Sequence, residues 1–529
     1  MHLEIKALIE KIIQRDIVLE KPKDISLGHY ATPAAFALAK EEKKNPMVIA
    51  QELALKFQDI DIFEEVTAVK GFLNFKLSNK YLLDSINKSL ALDFDFAKGE
   101  SKNEKILLEF VSANPTGPLH IGHARGAIFG DALLRVGRYL GYDITAEYYI
   151  NDAGTQMEML ATSLNLAARE YIYKEEVEYP EQFYRGEYLF DIALKCVEKY
   201  GQDVFKDESK QKELALFAKD EVMQIIISDL ADLGVSFDTF LSEKSLYKDW
   251  DETKSSLEKN NSLYDKDDKT FLRSTMYGDD SDRVVVRDNG IPTYLAGDII
   301  YHKNKFDRNF DKYINIWGAD HHGYITRVKA AVEFTGHDSS KLEILLSQMV
   351  ALLKGGEPYK MSKRAGNVIL MSDITNEIGA DALRFIFLTK KSDTHLEFDI
   401  DTLKNQDSSN PVFYINYAHA RINQLFKKAN LTVVDVQDEN ISSINQEGKD
   451  LVFQALLLPD ILEEAFAKRD MQKVTDYLHG LSAMVHKFYN EHRIIGESSE
   501  KQYLKALSMV ALSIRVGLKV LGITAKEVM

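Results

Sequence analysis

The sequence predicts a multidomain α/β chain in which a doubly wound, nucleotide-binding sheet with a helical insertion lies between a small α/β domain and an all-α bundle. Three observations predict it. Lys105 to Leu140 reads as strand, turn and helix, Asp143 to Leu160 repeats the pattern, and strands alternating with helices build a parallel sheet. At 529 residues the chain exceeds what one core holds, so two to four domains are expected. From Asn410 onward only helical spacing remains, through Leu451 to Leu462, Val474 to Tyr489 and Tyr503 to Leu521. The expected division is 1–102, 103–404 with an insertion at about 163–278, and 405–529.

Bulk properties narrow the class. The formal charge of −16 weighs against nucleic-acid binding by overall charge, but a phosphate backbone responds to potential within a screening length of about 8 Å, so local basic patches suffice. The single cysteine, Cys196, excludes an internal disulfide and any zinc site needing two thiolates. No apolar run is long enough to span a bilayer, and the charged, amphipathic start lacks the layout of a signal peptide, so a cytoplasmic protein without a membrane partner is expected.

In the first 102 residues, Leu3, Ile5, Leu8, Ile9, Ile12 and Ile13 mark one face of a helix. Asn45 followed by Pro46 is a helix start, and Gly71 to Leu77 alternates as a strand. Ile106, Leu107, Leu108, Phe110 and Val111 then form a run suited to a strand buried on both faces, interrupted by Glu109. Asn114 to Pro118 break it, and a helix follows. His120 and His123 share a face if that helix begins between them, where backbone N–H groups and the helix dipole favour phosphate; Gly122 would let a flat base approach. On residue types alone this pair reads equally as surface histidines. Residues 163–278 read as long charged helices, and Asp251 to Asp282 as solvated surface without chemistry.

Asn289-Gly290 signals a hairpin, and Tyr294 and Asp298 fall on one helical face. Tyr313 to Tyr324 is an apolar strand ending in Asp320, His321 and His322; catalytic metals usually recruit ligands from several elements, so no metal site is assigned. Lys360-Met361-Ser362-Lys363-Arg364, flanked by Gly355, Gly356 and Gly366, reads as a basic loop able to move. The helix opening at Asn410 offers Tyr414, Tyr417, His419 and Arg421 as nucleic-acid contacts, core packing being the alternative for at least one tyrosine.

His120-Ile121-Gly122-His123 closely resembles the HIGH signature of class I aminoacyl-tRNA synthetases, and Ala113 to Gly126 resembles its arginyl-tRNA synthetase version. Lys360 to Arg364 resembles the second signature, KMSKR, and Asp381-Ala382-Leu383-Arg384 the motif naming that family's helical anticodon-binding domain. The resemblance implies a Rossmann-like catalytic domain that activates arginine with ATP, expels pyrophosphate and passes arginine to the 3′ end of tRNA(Arg). It implies ATP with Mg²⁺ as substrate, no tightly bound cofactor, and a monomer.

By the same resemblance His120, Gly122, His123, His321, Lys360 and Lys363 lie against ATP, with Met361, Ser362 and Arg364 completing the loop. Lys105 matches a lysine that substitutes for an incomplete KMSK in some relatives, though this chain has both. Glu109, Ser112, Asn114, Tyr294, Asp298 and Asp320 would surround arginine. A planar cation with five donors calls for carboxylates, so Glu109 and Asp298 are expected to face the guanidinium, while Asn114 and Asp320 or His321 hold the other end. Phe72 and Asn74 would meet a base of the tRNA D-loop, by stacking and edge reading. The alternatives are a synthetase for another amino acid, such as lysine, a non-catalytic tRNA-binding paralogue, and a nucleotidyltransferase, which would not need the helical bundle.

Overall fold

The computed structural model describes residues 1–22, 24–359 and 369–529, with Ile25 by its backbone alone. The chain opens with α1 (His2–Ile13), which buries Ile5, Ile9 and Ile13 at four-residue spacing. Next come β1 (Tyr30–Thr32), α2 (Ala34–Glu42), α3 (Pro46–Leu55), β2 (Phe63–Val69), β3 (Phe72–Leu77) and α4 (Asn79–Leu92). Asn45 accepts from the Met47 N–H at 2.8 Å, with Pro46 in the first helical position, as the sequence predicts. The three strands form an antiparallel sheet with β3 in the middle.

The central segment runs β4 (Lys105–Glu109), α5 (Ile121–Tyr139), β5 (Asp143–Ile150), α6 (Thr155–Tyr171), α7 (Glu187–Tyr200), α8 (Gln211–Asp232) and β6 (Thr239–Ser242). It continues through α9 (Glu243–Leu246), α10 (Trp250–Lys259), β7 (Leu263–Lys266), β8 (Lys269–Leu272), β9 (Arg283–Val286), α11 (Tyr294–Asp307), β10 (Lys312–Gly318), α12 (Ile325–Phe334) and β11 (Leu342–Ser347). A small sheet of β12 (Val350–Lys354), β13 (Glu357–Pro358) and β14 (Leu396–Asp399) follows, with α13 (Met371–Ile378), α14 (Ala380–Leu388) and α15 (Ile400–Lys404). The C-terminal segment is helical: α16 (Pro411–Ala429), α17 (Gln446–Ala455), α18 (Leu458–Ala467), α19 (Gln472–Glu491) and α20 (Glu500–Val520).

Two compact units result, one of residues 1–99 with 406–529, the other of residues 100–405. In the first, the Phe453 ring of the bundle lies 4.4 Å from His29 and edge-on to Tyr30, and Arg515 pairs with Asp93 beside the Phe94 ring. In the second, five parallel strands lie in the order β11-β10-β4-β5-β6. The chain builds outward from β4 in both directions, so the carboxyl ends of β4 and β10 flank the switch point where α/β sheets open a binding crevice. Among the described residues no helix is long and apolar enough to cross a membrane.

The structure corrects the expected insertion. Helices fill only its first part; the chain rejoins the central sheet at β6, where Phe237 and Phe240 pack on Phe110 and Tyr148. Four residues are too few to display a strand period. Asp251 to Asp282, expected as bare surface, instead forms α10 and most of an antiparallel sheet, and Leu257 and Leu272 enter a core with Ile299 and Phe334. Asn289-Gly290 makes a turn, with Gly290 at φ +77° and the Arg287 N–H on the Ile291 carbonyl at 3.0 Å. It pairs through one bridge, Val286 to Pro292, and then runs into α11.

Candidate active site

The turn after β4 is the centre of the site. His120 is the N-cap of α5: its Nδ1 accepts from the Gly122 N–H at 3.1 Å, while its own backbone N–H donates to His123 Nδ1 at 3.3 Å. The rings stack with centroids 3.7 Å apart. Because both Nδ1 atoms accept, each neutral ring carries its proton on Nε2, beside the positive end of α5. A Cβ at Gly122 would come within 2.9 Å of the His120 ring, so the bare backbone seats that imidazole. Two backbone bonds, Ile121 N–H to the Ile369 carbonyl at 3.1 Å and Met371 N–H to the Leu119 carbonyl at 2.8 Å, tie this turn to the chain just beyond the second signature. Lys360, Met361, Ser362, Lys363 and Arg364 themselves lie outside the described residues.

Glu109 ends β4 and is buried. Its Oε1 accepts from Ser112 Oγ at 2.9 Å and its Oε2 from Lys305 Nζ, so an internal cation stands where the sequence suggested an open carboxylate. Lys305 is fully buried on α11, donates to Asn315 Oδ1 at 2.8 Å and lies 4.3 Å from the Tyr301 ring centroid. The Ser112 hydroxyl also accepts from the Tyr149 N–H at 3.1 Å, and Asn114 is exposed at the turn. Beside Glu109, Glu147 takes both arms of Arg308 at 2.6 and 2.9 Å and the Tyr301 hydroxyl at 3.0 Å. Burial would raise its carboxyl, but Arg308 and Lys305 hold it below the ordinary value.

The wall opposite is different. Tyr294 opens α11 half-exposed, its hydroxyl 3.0 Å from Thr155 Oγ1 and its ring against Gly154. One turn on, burial and the nearby Glu243 and Glu109 push Asp298 up to about 7, against the opposing pull of Arg327 and Lys305. Glu243, the first residue of α9, is buried and raised by burial, although Tyr247 donates to its Oε1 at 3.0 Å. A Cβ at Gly297 would meet that oxygen at 2.7 Å, so the glycine lets the carboxylate rest on the α11 backbone beside Asp298. Among the described residues neither Glu243 nor Asp298 forms an ion pair. Sequence reading missed Glu243; the available signal was an acidic residue directly after a strand, at a helix start capped by Ser242.

Asp320 and His321 stand exposed in the turn after β10, 3.6 Å apart and at the carboxyl end of the sheet. Lys105 is not brought to the site. It is the first residue of β4, bonded through its N–H to Asp311, four residues or about 13 Å along the strand from Glu109.

In the other unit, Phe72 and Asn74 share a face of β3, with Phe72 edge-on to Phe36 at 5.3 Å. Asn74 is buried on the middle strand between Ala31 and Thr67, which removes it from the surface expected of a base reader. On α16, Tyr414, Tyr417 and Arg421 line a cavity of about 510 Å³ with Phe413, His486 and Met529. The Arg421 guanidinium lies 4.3 Å from the Tyr417 centroid and bonds His486 Nδ1 at 3.1 Å. His419 is instead buried against the Lys526 carbonyl at 2.9 Å, a packing role that corrects its assignment as a contact.

A sheet opened beside a histidine-capped helix, with a helical bundle in the same chain, has the build of a class I aminoacyl-tRNA synthetase. Residues 85–427 match the model for the tRNA synthetases class I (R) catalytic domain, residues 2–77 the arginyl tRNA synthetase N-terminal domain, and residues 415–529 the DALR anticodon binding domain. An arginine–tRNA ligase from Aliarcobacter butzleri is 70% identical over 525 residues and one from Campylobacter curvus 58%, each alignment spanning 99% of both chains. The solved arginyl-tRNA synthetase of Thermus thermophilus, 19% identical, shares the fold with a TM-score of 0.78 over the whole of both chains. The chain belongs to the arginyl-tRNA synthetase family.

Proposed function

We propose that this chain activates L-arginine with ATP, releases pyrophosphate, and passes the arginyl group to the 3′-terminal ribose of tRNA(Arg). The observation that carries the choice of amino acid is the pair of neighbouring carboxylates, Glu243 buried and Asp298 half-buried, with no ion-pair partner among the described residues. A guanidinium is permanently charged and planar, and two carboxylates set side by side match its donors. Tyr294 closes over it, while Asn114 with Asp320 or His321 holds the amino-acid end. Glu109 and Ser112 support the turn from beneath.

The reaction needs no protein nucleophile. The arginine carboxylate attacks the α-phosphate, so catalysis consists of positioning and of stabilising charge on the transferring group. The Nε2–H groups of His120 and His123 at the α5 terminus supply donors, and Lys360 and Lys363 supply positive charge for the leaving pyrophosphate, with Mg²⁺ arriving on ATP. Residues 1–102 and 405–529 engage tRNA, through Phe72 and through the Tyr414, Tyr417 and Arg421 cavity, whose rings can stack a splayed base. The protein works as a cytoplasmic monomer.

The test is ATP–pyrophosphate exchange with arginine, lysine or citrulline, each with and without tRNA. Exchange with arginine alone supports the reading, and an increase on adding tRNA couples activation to tRNA. Exchange with lysine or citrulline at the arginine rate, or none with any of them by folded protein, would refute it.

A further inference from the structure

The backbone leaves β4 in a conformation that its residues resist. Val111 has φ +68° and Ser112 +41°, a region that side chains other than glycine rarely adopt and in which a β-branched valine is a genuine outlier. Such a turn persists only where its surroundings over-determine it. One chain of side-chain bonds does so here: Lys305 Nζ to Glu109 Oε2, Ser112 Oγ to Glu109 Oε1 at 2.9 Å, and the Tyr149 N–H to Ser112 Oγ at 3.1 Å. The far end is pinned by the Tyr148 hydroxyl on the Ala113 carbonyl at 2.8 Å. Lys305 is held in turn by Asn315 Oδ1 at 2.8 Å, and Asn315 by His302 at 3.2 Å, so the clamp is anchored across β4, β10 and α11.

We propose that Lys305 is a positioning residue for arginine activation: acting through Glu109 and Ser112, it holds the left-handed turn that aims Asn114 and the start of the histidine signature at the reacting groups. Glu109 then serves the clamp, and the guanidinium is recognised by Glu243 and Asp298. This rests on the activation reading above. It separates Lys305 from a residue that merely fills the core, because the turn it braces leads within a few residues to His120.

The test uses full-length protein and two charge-balanced pairs. Lys305→Met with Glu109→Gln removes the donor without leaving a buried charge; Lys305→Gln with Glu109→Gln restores an amide donor. The Met/Gln protein is expected to activate arginine about 100-fold more slowly by kcat, with KM for arginine within threefold of wild type, and the Gln/Gln protein to recover at least a third of the lost rate on a logarithmic scale. Ser112→Ala cuts the same chain at a half-buried position and is expected to lower kcat about tenfold at unchanged Tm; it decides the matter if the Met/Gln protein does not fold. An unchanged kcat in Ser112→Ala or Met/Gln would overturn the proposal. So would a loss confined to KM for arginine, which would make Glu109 a guanidinium ligand. Wild type in the same assay separates this from failure of the activity itself, because a wild type inactive with arginine refutes the function and not the clamp.

Discussion

Two sets of buried or half-buried acids lie within one unit, and they are treated in opposite ways. Beneath the crevice, Glu109 and Glu147 each hold a cation from α11 or its end, Lys305 and Arg308. On the wall of the crevice, Glu243 and Asp298 have no ion-pair partner among the described residues, and burial pushes both toward protonation against the weaker pull of Arg327 and Lys305 on Asp298. Desolvated carboxylates without counter-ions cost stability. Two such groups set together, near acids that hold cations of their own, fit the cationic substrate proposed above.

Breaking the unpaired set should have the largest effect. Asp298→Asn or Glu243→Gln is expected to reduce kcat/KM for arginine by about 10³-fold or more in pyrophosphate exchange, and to shrink discrimination against citrulline, because the introduced amide gains nothing from the charge that separates a guanidinium from a neutral ureido group. Breaking the paired set acts on the fold. Arg308→Met leaves Glu147 buried with hydroxyl donors only and is expected to cost about 3–5 kcal/mol in denaturant unfolding.

Smaller effects sharpen the contrast. With its carboxyl pushed up to about 7, Asp298 must lose a proton to pair with a guanidinium; KM for arginine should rise about tenfold from pH 8 to pH 6 in the wild type and stay flat in Asp298→Asn. Tyr417→Ala removes a stacking platform in the other unit and should raise KM for tRNA about tenfold, leaving KM for arginine alone. Stability has the reverse sign from activity. A carboxyl near 7 when folded and near 3.8 when unfolded makes folding take up a proton between those values, so its penalty is absent below about pH 4 and complete above pH 7. Asp298→Asn should therefore raise Tm at pH 8 by about 2–4 °C and leave it unchanged at pH 4.

The local part of this architecture was legible. The β4 run, the prolines after it and the helical spacing from Ala127 defined the strand, turn and helix, and the four-residue spacing of Tyr294 and Asp298 put them on one face of α11. What could not be read were pairings between distant residues. Lys305 lies 196 positions from Glu109, and nothing local to the β4 run shows that its acid is already neutralised. Glu243 escaped because β6 is four residues long and carries no period. The side chains of His419 and Asn74 are able to contact nucleic acid, yet burial is decided by neighbouring elements, and both are buried. Lys105 shows that closeness in sequence to a signature is not closeness in space, since a strand separates its ends by its whole length.

The most direct measurement is a calorimetric titration of arginine into wild type, Glu243→Gln, Asp298→Asn and Glu109→Gln at pH 8. Arginine is expected to bind wild type and, within about threefold, Glu109→Gln, and to lose about 100-fold or more in affinity for the other two. Undiminished binding to Glu243→Gln and Asp298→Asn, or a loss in Glu109→Gln as large as theirs, would contradict the division between acids that hold the fold and acids that await the substrate.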